Sequence, residues 1–308
     1  MLVFNEIRQN LVPASCIAHG MFDGVHIGHQ KVILDAVKRA EDINALSIAV
    51  SFKNHPQSIT AKTPAKLITS LDKRLELFEE LGVQAAVILD FNEELSSLSA
   101  QEYLDKILID SLNMKSISIG YDHRFGAQKK GDVKFLEQNS SVYNFEISVM
   151  PPVKISGQLA SSSDIRKFIS IGDVTTASEL LGRPFSIKNK IIYGQQRGRM
   201  MGFPTINLQM PDNIIEPAAG VYSGIAEIEN KSYYSVVNIG KRPTFGDLEE
   251  NLIEAHLLNF SEDVYGKEAE ISFLRRIRDE KKFSSMEELQ TQIKIDCELA
   301  TTYNSEIV

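Results

Sequence analysis

Two stretches carry the residues of this 308-residue chain that are best suited to chemistry. The first is Gly20-Met21-Phe22-Asp23-Gly24-Val25-His26-Ile27-Gly28-His29-Gln30. His26 and His29 lie three apart, so on a helix they share one face. Backbone N–H groups at a helix start, with two imidazoles beside them, make a site for a polyphosphate. When a nucleophile attacks the α-phosphorus of a nucleoside triphosphate, negative charge builds on the phosphate oxygens. Donors already aimed there favour the transition state, and losing one costs about a hundredfold to a thousandfold in rate. Gly20 and Gly24 let the backbone come close to the phosphate, with Phe22 and Asp23 between them. The same residues, taken alone, also fit a surface loop with two incidental histidines or half of a metal site.

The second stretch is Gly194-Gln195-Gln196-Arg197-Gly198-Arg199-Met200-Met201-Gly202-Phe203-Pro204-Thr205-Ile206-Asn207. Its glycines suit a tight loop that approaches a ligand. Pro204 biases Phe203 towards extended backbone. Thr205 and Asn207 then point to one side, and a hydroxyl with an amide oxygen can ligate Mg²⁺. Further on, Glu254 and His256 share one face of an apolar strand. A carboxylate there needs a partner or a task, and near a nucleotide it could take a hydroxyl proton. A glycine-rich hairpin and a solvent-facing glutamate are the plainer alternatives. The chain has no G-x-x-x-x-G-K-[ST] phosphate loop.

Three smaller groups accompany these. Ser161-Ser162-Ser163-Asp164-Ile165-Arg166 opens a helical run. Its hydroxyls either cap that helix or, with Arg166, hold a phosphate. Ser51-Phe52-Lys53-Asn54-His55-Pro56 and Gly120-Tyr121-Asp122-His123-Arg124-Phe125-Gly126 each follow a strand, where ordinary turns also occur.

Elements that could position these residues are legible in the hydrophobic pattern. Residues 17–19, 46–52, 85–89, 116–119 and 145–150 read as strands. Residues 30–40, 71–81, 100–108, 133–137 and 163–170 read as helices. Strands alternating with helices imply a mostly parallel sheet, whose ligands sit at the strands' carboxyl ends. From about residue 184 the texture changes to strand after strand: 186–193, 221–228, 232–239, 252–258 and 268–273. That pattern predicts an antiparallel barrel or sandwich. A closing helix over 285–301 places Met286, Leu289, Ile293 and Leu299 roughly on one face, with Ser284 or Ser285 as its cap. Gly182-Arg183-Pro184 marks the boundary, giving domains 1–182 and 183–308.

Composition narrows the function. Hydrophobic residues make up 43% and charged residues 24%, as in soluble globular proteins. A formal charge of −8 argues against broad nucleic-acid binding. Basic spots at Lys129-Lys130, Arg197 with Arg199, and Arg275-Arg276-Ile277-Arg278 fit either small anionic ligands or solvated faces. Cys16 and Cys297 form no disulfide framework or metal spacing, and no apolar run is long enough to span a bilayer. The expectation is a cytoplasmic protein without a membrane or nucleic-acid partner; a homo-oligomer stays open.

Together the motifs resemble those of the bacterial bifunctional riboflavin kinase/FMN adenylyltransferase (FAD synthetase) family. The first stretch is similar to its F-D-G-V-H-x-G-H-Q nucleotidyltransferase motif, and residues 161–166 to its S-S-T-x-I-R signature, with Ser163 for threonine. Residues 51–56 resemble T-F-x-x-H-P, with Ser51 for threonine, and residues 120–126 resemble G-x-D-x-x-F-G. Residues 194–207 resemble the kinase signature G-x-x-x-G-R-x-x-G-F-P-T-x-N. The motifs run in the family's order from Gly20 to Phe283. The resemblance implies a Rossmann-like α/β domain followed by a riboflavin-kinase β-barrel with a C-terminal helix. It implies MgATP, riboflavin and FMN as small-molecule substrates, and FAD with pyrophosphate as products. By this match His26 and His29 stabilise adenylyl transfer, with Gly20, Phe22, Asp23, Gly24, Ser162, Ser163 and Arg166 on ATP. Asn54, His55, Asp122 and Phe125 lie at the flavin and adenylyl site. Gly194, Arg199, Gly202, Phe203, Pro204 and Asn238 form the kinase nucleotide and flavin region, Thr205 and Asn207 hold Mg²⁺, and Glu254 is the kinase base. Two other readings are an FMN adenylyltransferase with a non-catalytic flavin-binding second domain, and a flavin-sensing protein without turnover.

Overall fold

The computed structural model describes residues 1–54, 65–194, 198, 202–243 and 249–305. They belong to two compact units, Met1–Ser162 and Ser163–Val308.

The first unit is built on a six-stranded parallel sheet of β1 (Leu2–Phe4), β2 (Ser15–His19), β3 (Leu46–Phe52), β4 (Ala85–Leu89), β5 (Met114–Gly120) and β6 (Glu146–Met150), in the order β1-β4-β3-β2-β5-β6. Its central strands are buried on both faces, as a parallel sheet requires. Ile17, Ile48, Val50, Val87 and Ile117 feed one apolar cluster, while Ala18, Ala49 and Ala86 feed the other. The alanines let helix α1 (Ile27–Ile43) lie close to the sheet through Val32, Ile33 and Ala36. Helix α2 (Leu71–Glu80) starts at Ser70, whose hydroxyl accepts from the Lys73 N–H. Helix α3 (Glu93–Ser97) precedes helix α4 (Ala100–Tyr103), which winds on as a π-helical turn over Leu104–Ile109. Helix α5 (Val133–Tyr143) precedes β6 and runs further than the 133–137 expected, to a left-handed Asn144.

The chain leaves β2 towards β3 and β4 on one side, while β5 and β6 lie on the other. The sheet therefore has its switch point between β2 and β5, the place where such sheets bind ligands. Both Gly20–Gln30 and Gly120–Gly126 begin at that point. A small hairpin, β7 (Lys154–Ile155) with β8 (Gln158–Leu159), leads to helix α6 (Ser162–Ser170).

In the second unit α7 (Val174–Leu181) packs on the barrel strands β9 (Phe185–Ile192) and β14 (Glu268–Arg278). Neither α7 nor the hairpin was expected from the sequence. The barrel closes in the order β10-β13-β12-β11-β14-β9, with β10 (Thr205–Gln209), β11 (Gly220–Ile228), β12 (Lys231–Pro243) and β13 (Glu249–Leu257). Ile187, Leu208, Val237, Ile239, Ile253, Ala255, Ile271 and Phe273 are buried. Helix α8 (Met286–Ser305) lies over β11, β12 and β14, with Cys297 and Ala300 against Val221 and Val236. Met286 is 55% exposed, so the packing face centres on Asp296 and Ala300 rather than on the Met286 stripe the sequence suggested.

Candidate active sites

In the first unit, the turn between β2 and α1 is held in a shape few residues adopt. Phe22, Gly24 and Val25 all have left-handed backbone, at φ 51°, 83° and 41°. Such conformations are costly for a bulky or β-branched residue and persist where the surroundings over-determine them. Phe22 is anchored edge-on against Phe78 and against His29. The buried Asp23 carboxylate accepts from the backbone N–H groups of Ile68 and Thr69, at 2.8 and 3.2 Å. The Gly24 N–H donates to the Thr69 hydroxyl, and the Gly20 N–H continues the ladder to Val50.

His26 is the N-cap of α1 rather than a residue on its face. Its Nδ1 accepts from the N–H groups of Gly28 and His29, at 3.1 and 3.3 Å. Two of the helix-start donors that the sequence offered to a phosphate are thus used by the cap. With Nδ1 accepting, the neutral ring carries its proton on Nε2, on the far edge from the cap. The rings of His26 and His29 stack with centroids 3.6 Å apart. A side chain at Gly28 would crowd the His26 ring. The Ser162 hydroxyl, at the end of the first unit, donates to the Asp23 carbonyl at 2.9 Å. Ser163 and Arg166 follow on α6.

Across the switch point lies an aromatic cluster the sequence did not announce. His19 ends β2, and its Nε2 is 2.7 Å from the Tyr103 hydroxyl. His123, after β5, packs edge-on against His19 and stacks on Phe125. Burial keeps both imidazoles neutral: it drives His19 well below the ordinary histidine range, aided by His123. It draws His123 down to about 4, aided by Arg124. Phe125 is buried and bridges to Gly131, so it is core as much as site wall. Asp122 stands exposed at the turn after Gly120. Asn54 both donates to the Phe91 carbonyl and accepts from the Phe91 N–H, which makes it a pin for the segment after β4. His55 lies outside the described residues, as does Arg199 in the second unit.

In the second unit the ladder itself assembles the site. Glu254 on β13 is paired with Asn207 on β10 and with Asn238 on β12. Paired residues of neighbouring strands project to the same side of a sheet. Asn207, Glu254 and Asn238 therefore form one row across three strands. Thr205 sits two residues along from Asn207, opposite His256, whose Nδ1 donates to the Pro204 carbonyl at 2.8 Å. Phe203 packs edge-on against His256. Gly194 lies so near the Asn207 amide that a Cβ there would overlap it, and Gly202 turns at φ 83°. The Asn207 Oδ1 is buried and has no hydrogen-bond partner among the described residues. An unpartnered oxygen acceptor beside a threonine hydroxyl fits a hard cation completed by phosphate and water oxygens. Among the described residues, no group of three or more His, Cys, Asp or Glu could hold a metal ion.

The basic run Arg275–Arg278 serves the fold. Arg278 grips the buried Asp296 through Nε and Nη2, and Arg276 donates to the Ile171 and Ala219 carbonyls. Arg275 lies over the Tyr303 ring.

The FAD synthetase family model matches residues 9–164, and the riboflavin kinase family model matches residues 181–304. The chain is 36% identical to a bifunctional riboflavin kinase/FMN adenylyltransferase of Bacillus subtilis, over 95% of this chain and 93% of that one. It is 32% identical to a protein of that name from Escherichia coli, over 90% and 88%. A crystal structure from Streptococcus pneumoniae, described as a macrolide-efflux protein, superposes with a TM-score of 0.88 at 32% identity, covering 98% of this chain and 99% of that one. Among the described residues no helix is long and apolar enough to cross a membrane.

Proposed function

The chain belongs to the bifunctional riboflavin kinase/FMN adenylyltransferase family, and from that premise we propose how its two sites divide the work. It is two enzymes in one polypeptide: a kinase that phosphorylates riboflavin to FMN with ATP, and an adenylyltransferase that joins FMN to ATP. We assign adenylyl transfer to residues 1–182 and phosphorylation to residues 183–308.

In adenylyl transfer an FMN phosphate oxygen attacks the α-phosphorus, the bond to the β-phosphate oxygen breaks, and pyrophosphate leaves with FAD as product. His26 presents Nε2–H to the charge that develops, and the stacked His29 adds the second imidazole. Ser162, Ser163 and Arg166 are assigned to the outer phosphates, and Asn54, His55, Asp122 and Phe125 to the flavin side. The observation that carries this reading is the pair of rings at the head of α1, one of them fixed in its tautomer by the cap.

In the kinase, Glu254 accepts the proton of the ribityl 5′-hydroxyl as that oxygen attacks the γ-phosphorus of ATP. Asn238 and Asn207 flank it in the ladder and fix where the carboxylate stands. Mg²⁺, held by Thr205 and Asn207 together with the nucleotide, would neutralise phosphoryl charge. Gly194, Arg199, Gly202, Phe203 and Pro204 shape the nucleotide loop. A cytoplasmic location, where ATP is plentiful, suits both reactions.

Product analysis tests the division. Riboflavin with MgATP should yield FMN and then FAD. His29→Ala should stop at FMN, and Glu254→Gln should make FAD only when FMN is supplied. FAD formation by His29→Ala at the unmodified rate, or riboflavin phosphorylation by Glu254→Gln at the unmodified rate, refutes the corresponding assignment.

A further inference from the structure

Arg74 is the largest fully buried side chain of the described residues, and its guanidinium is only partly used. It sits on α2, one turn past the Ser70 cap, on the face that also carries Leu77 and Phe78 into the core. Nη1 donates to the Met21 carbonyl at 2.7 Å and to the Ser51 hydroxyl at 3.1 Å. Nε and Nη2 are buried with no acceptor among the described residues. The charged group that acts on it is Asp23, whose Oδ1 is engaged by the Ile68 and Thr69 N–H groups. Burial draws the Arg74 pKa down to about 10, which leaves it cationic at neutral pH. A buried cation with two unmet donors is expensive, and its persistence asks for a task.

Its place suggests that task. Met21 is the residue before the turn in which Phe22, Gly24 and Val25 have left-handed backbone, and Ser51 lies on β3 beside the same strand end. The Ser51 hydroxyl also donates to the Met21 carbonyl, at 2.8 Å. Arg74 thus clamps the entrance of the turn that presents His26 and His29, and puts a positive charge in the core beneath it.

We propose that Arg74 is a positioning residue for adenylyl transfer: it fixes the Met21 carbonyl at the root of the histidine turn, and its buried charge favours a bound polyphosphate there. The inference rests on the reading of that turn as the triphosphate site. A tetraanionic nucleotide or a pyrophosphate leaving group is the ligand whose binding it strengthens, while FMN, riboflavin and the kinase step are outside its reach.

Three variants of the full-length enzyme separate charge from clamp. Arg74→Lys keeps the charge, Arg74→Gln keeps a neutral donor, and Arg74→Met keeps neither. The readouts are KM for MgATP in FMN adenylylation, inhibition by pyrophosphate, and riboflavin phosphorylation as the reference activity. Arg74→Lys should hold its MgATP KM within about threefold, whereas Arg74→Gln should raise it about tenfold and weaken pyrophosphate inhibition equally, with the FMN KM unmoved. Arg74→Met should lose kcat as well. If Lys and Gln give the same MgATP KM, the charge has no part and the proposal is overturned. Should Arg74→Gln not fold, Arg74→Lys decides alone: an unchanged MgATP KM supports the proposal and a tenfold rise overturns it. His29→Ala is the companion arm. A fully active His29→Ala would remove the site reading itself, whereas an inactive His29→Ala beside unaltered Arg74 variants would remove only the inference.

Discussion

The observed cap and the proposed catalytic role of His26 fall on one ring, and they can be taken apart. Nδ1 caps α1 by accepting from Gly28 and His29, while Nε2–H is the group assigned above to the phosphate. His26→Ala removes both jobs. Loss of a cap costs about 1 kcal/mol, which for a unit of this size lowers the thermal midpoint by about 2–4 °C. Loss of one preorganised donor costs about 2.7–4 kcal/mol of transition-state stabilisation, or roughly a hundredfold to a thousandfold in rate. His26→Asn restores a good capping oxygen but cannot reach the phosphate with Nε2–H. The Asn variant should therefore melt like the unmodified protein while forming FAD from FMN and MgATP as slowly as the Ala variant. Thermal unfolding and a fixed-time FAD assay read the two effects independently. Since the stacked rings act together, His26→Ala/His29→Ala should be scarcely slower than either single change. The reasoning is refuted if His26→Asn forms FAD at the full rate, or if His26→Ala melts with His26→Asn.

Acid should loosen the first unit in a defined window. His19 and His123 stay neutral when folded but titrate near the ordinary ~6.5 when unfolded. Their contribution is complete above that value and is lost as pH falls towards about 4, because only the unfolded chain takes up the protons. Urea unfolding at several pH values should show this slope, and His123→Phe should flatten it; an unaltered slope contradicts the burial argument. In the second unit, Gly194→Ala should push the Asn207 amide aside and slow riboflavin phosphorylation about a hundredfold. FAD formation from FMN should not change, and a kinase rate equal to that of the unmodified enzyme speaks against Asn207 as a ligand-holding residue.

Local signals carried far in this chain, and non-local ones did not. The strands at 46–52 and 85–89 fell where expected, because runs buried on both faces are mostly apolar, with only Ser47 and Ser51 interrupting the first. The three residues of β1 were too few to show a period. Helix α7 carried an overlooked signature: Asp173 caps it at the start, and Gly182 closes it in left-handed backbone. The capping role of His26 was hidden because histidine is not a usual capping residue. Arg74 was discoverable, since it falls at the helical spacing from Leu71 and Phe78 that marks a buried face. The row Asn207–Glu254–Asn238 was not, for it depends on the pairing of strands far apart in the chain. The pairing of β9 with β14 is of the same kind.

That row has a consequence for how the kinase comes into being. Glu254 alternates along β13 with Ile253 and Ala255, which are wholly enclosed by the barrel. A slip of one residue between β13 and its neighbours would turn the carboxylate inward and bring an aliphatic side chain out in its stead. A molecule assembled with that error would be unstable and, with Glu254 as the proposed base, inert as a kinase, so proteolysis of poorly folded copies would also remove the inactive ones. Proofreading of the scaffold and proofreading of the catalyst are then a single event.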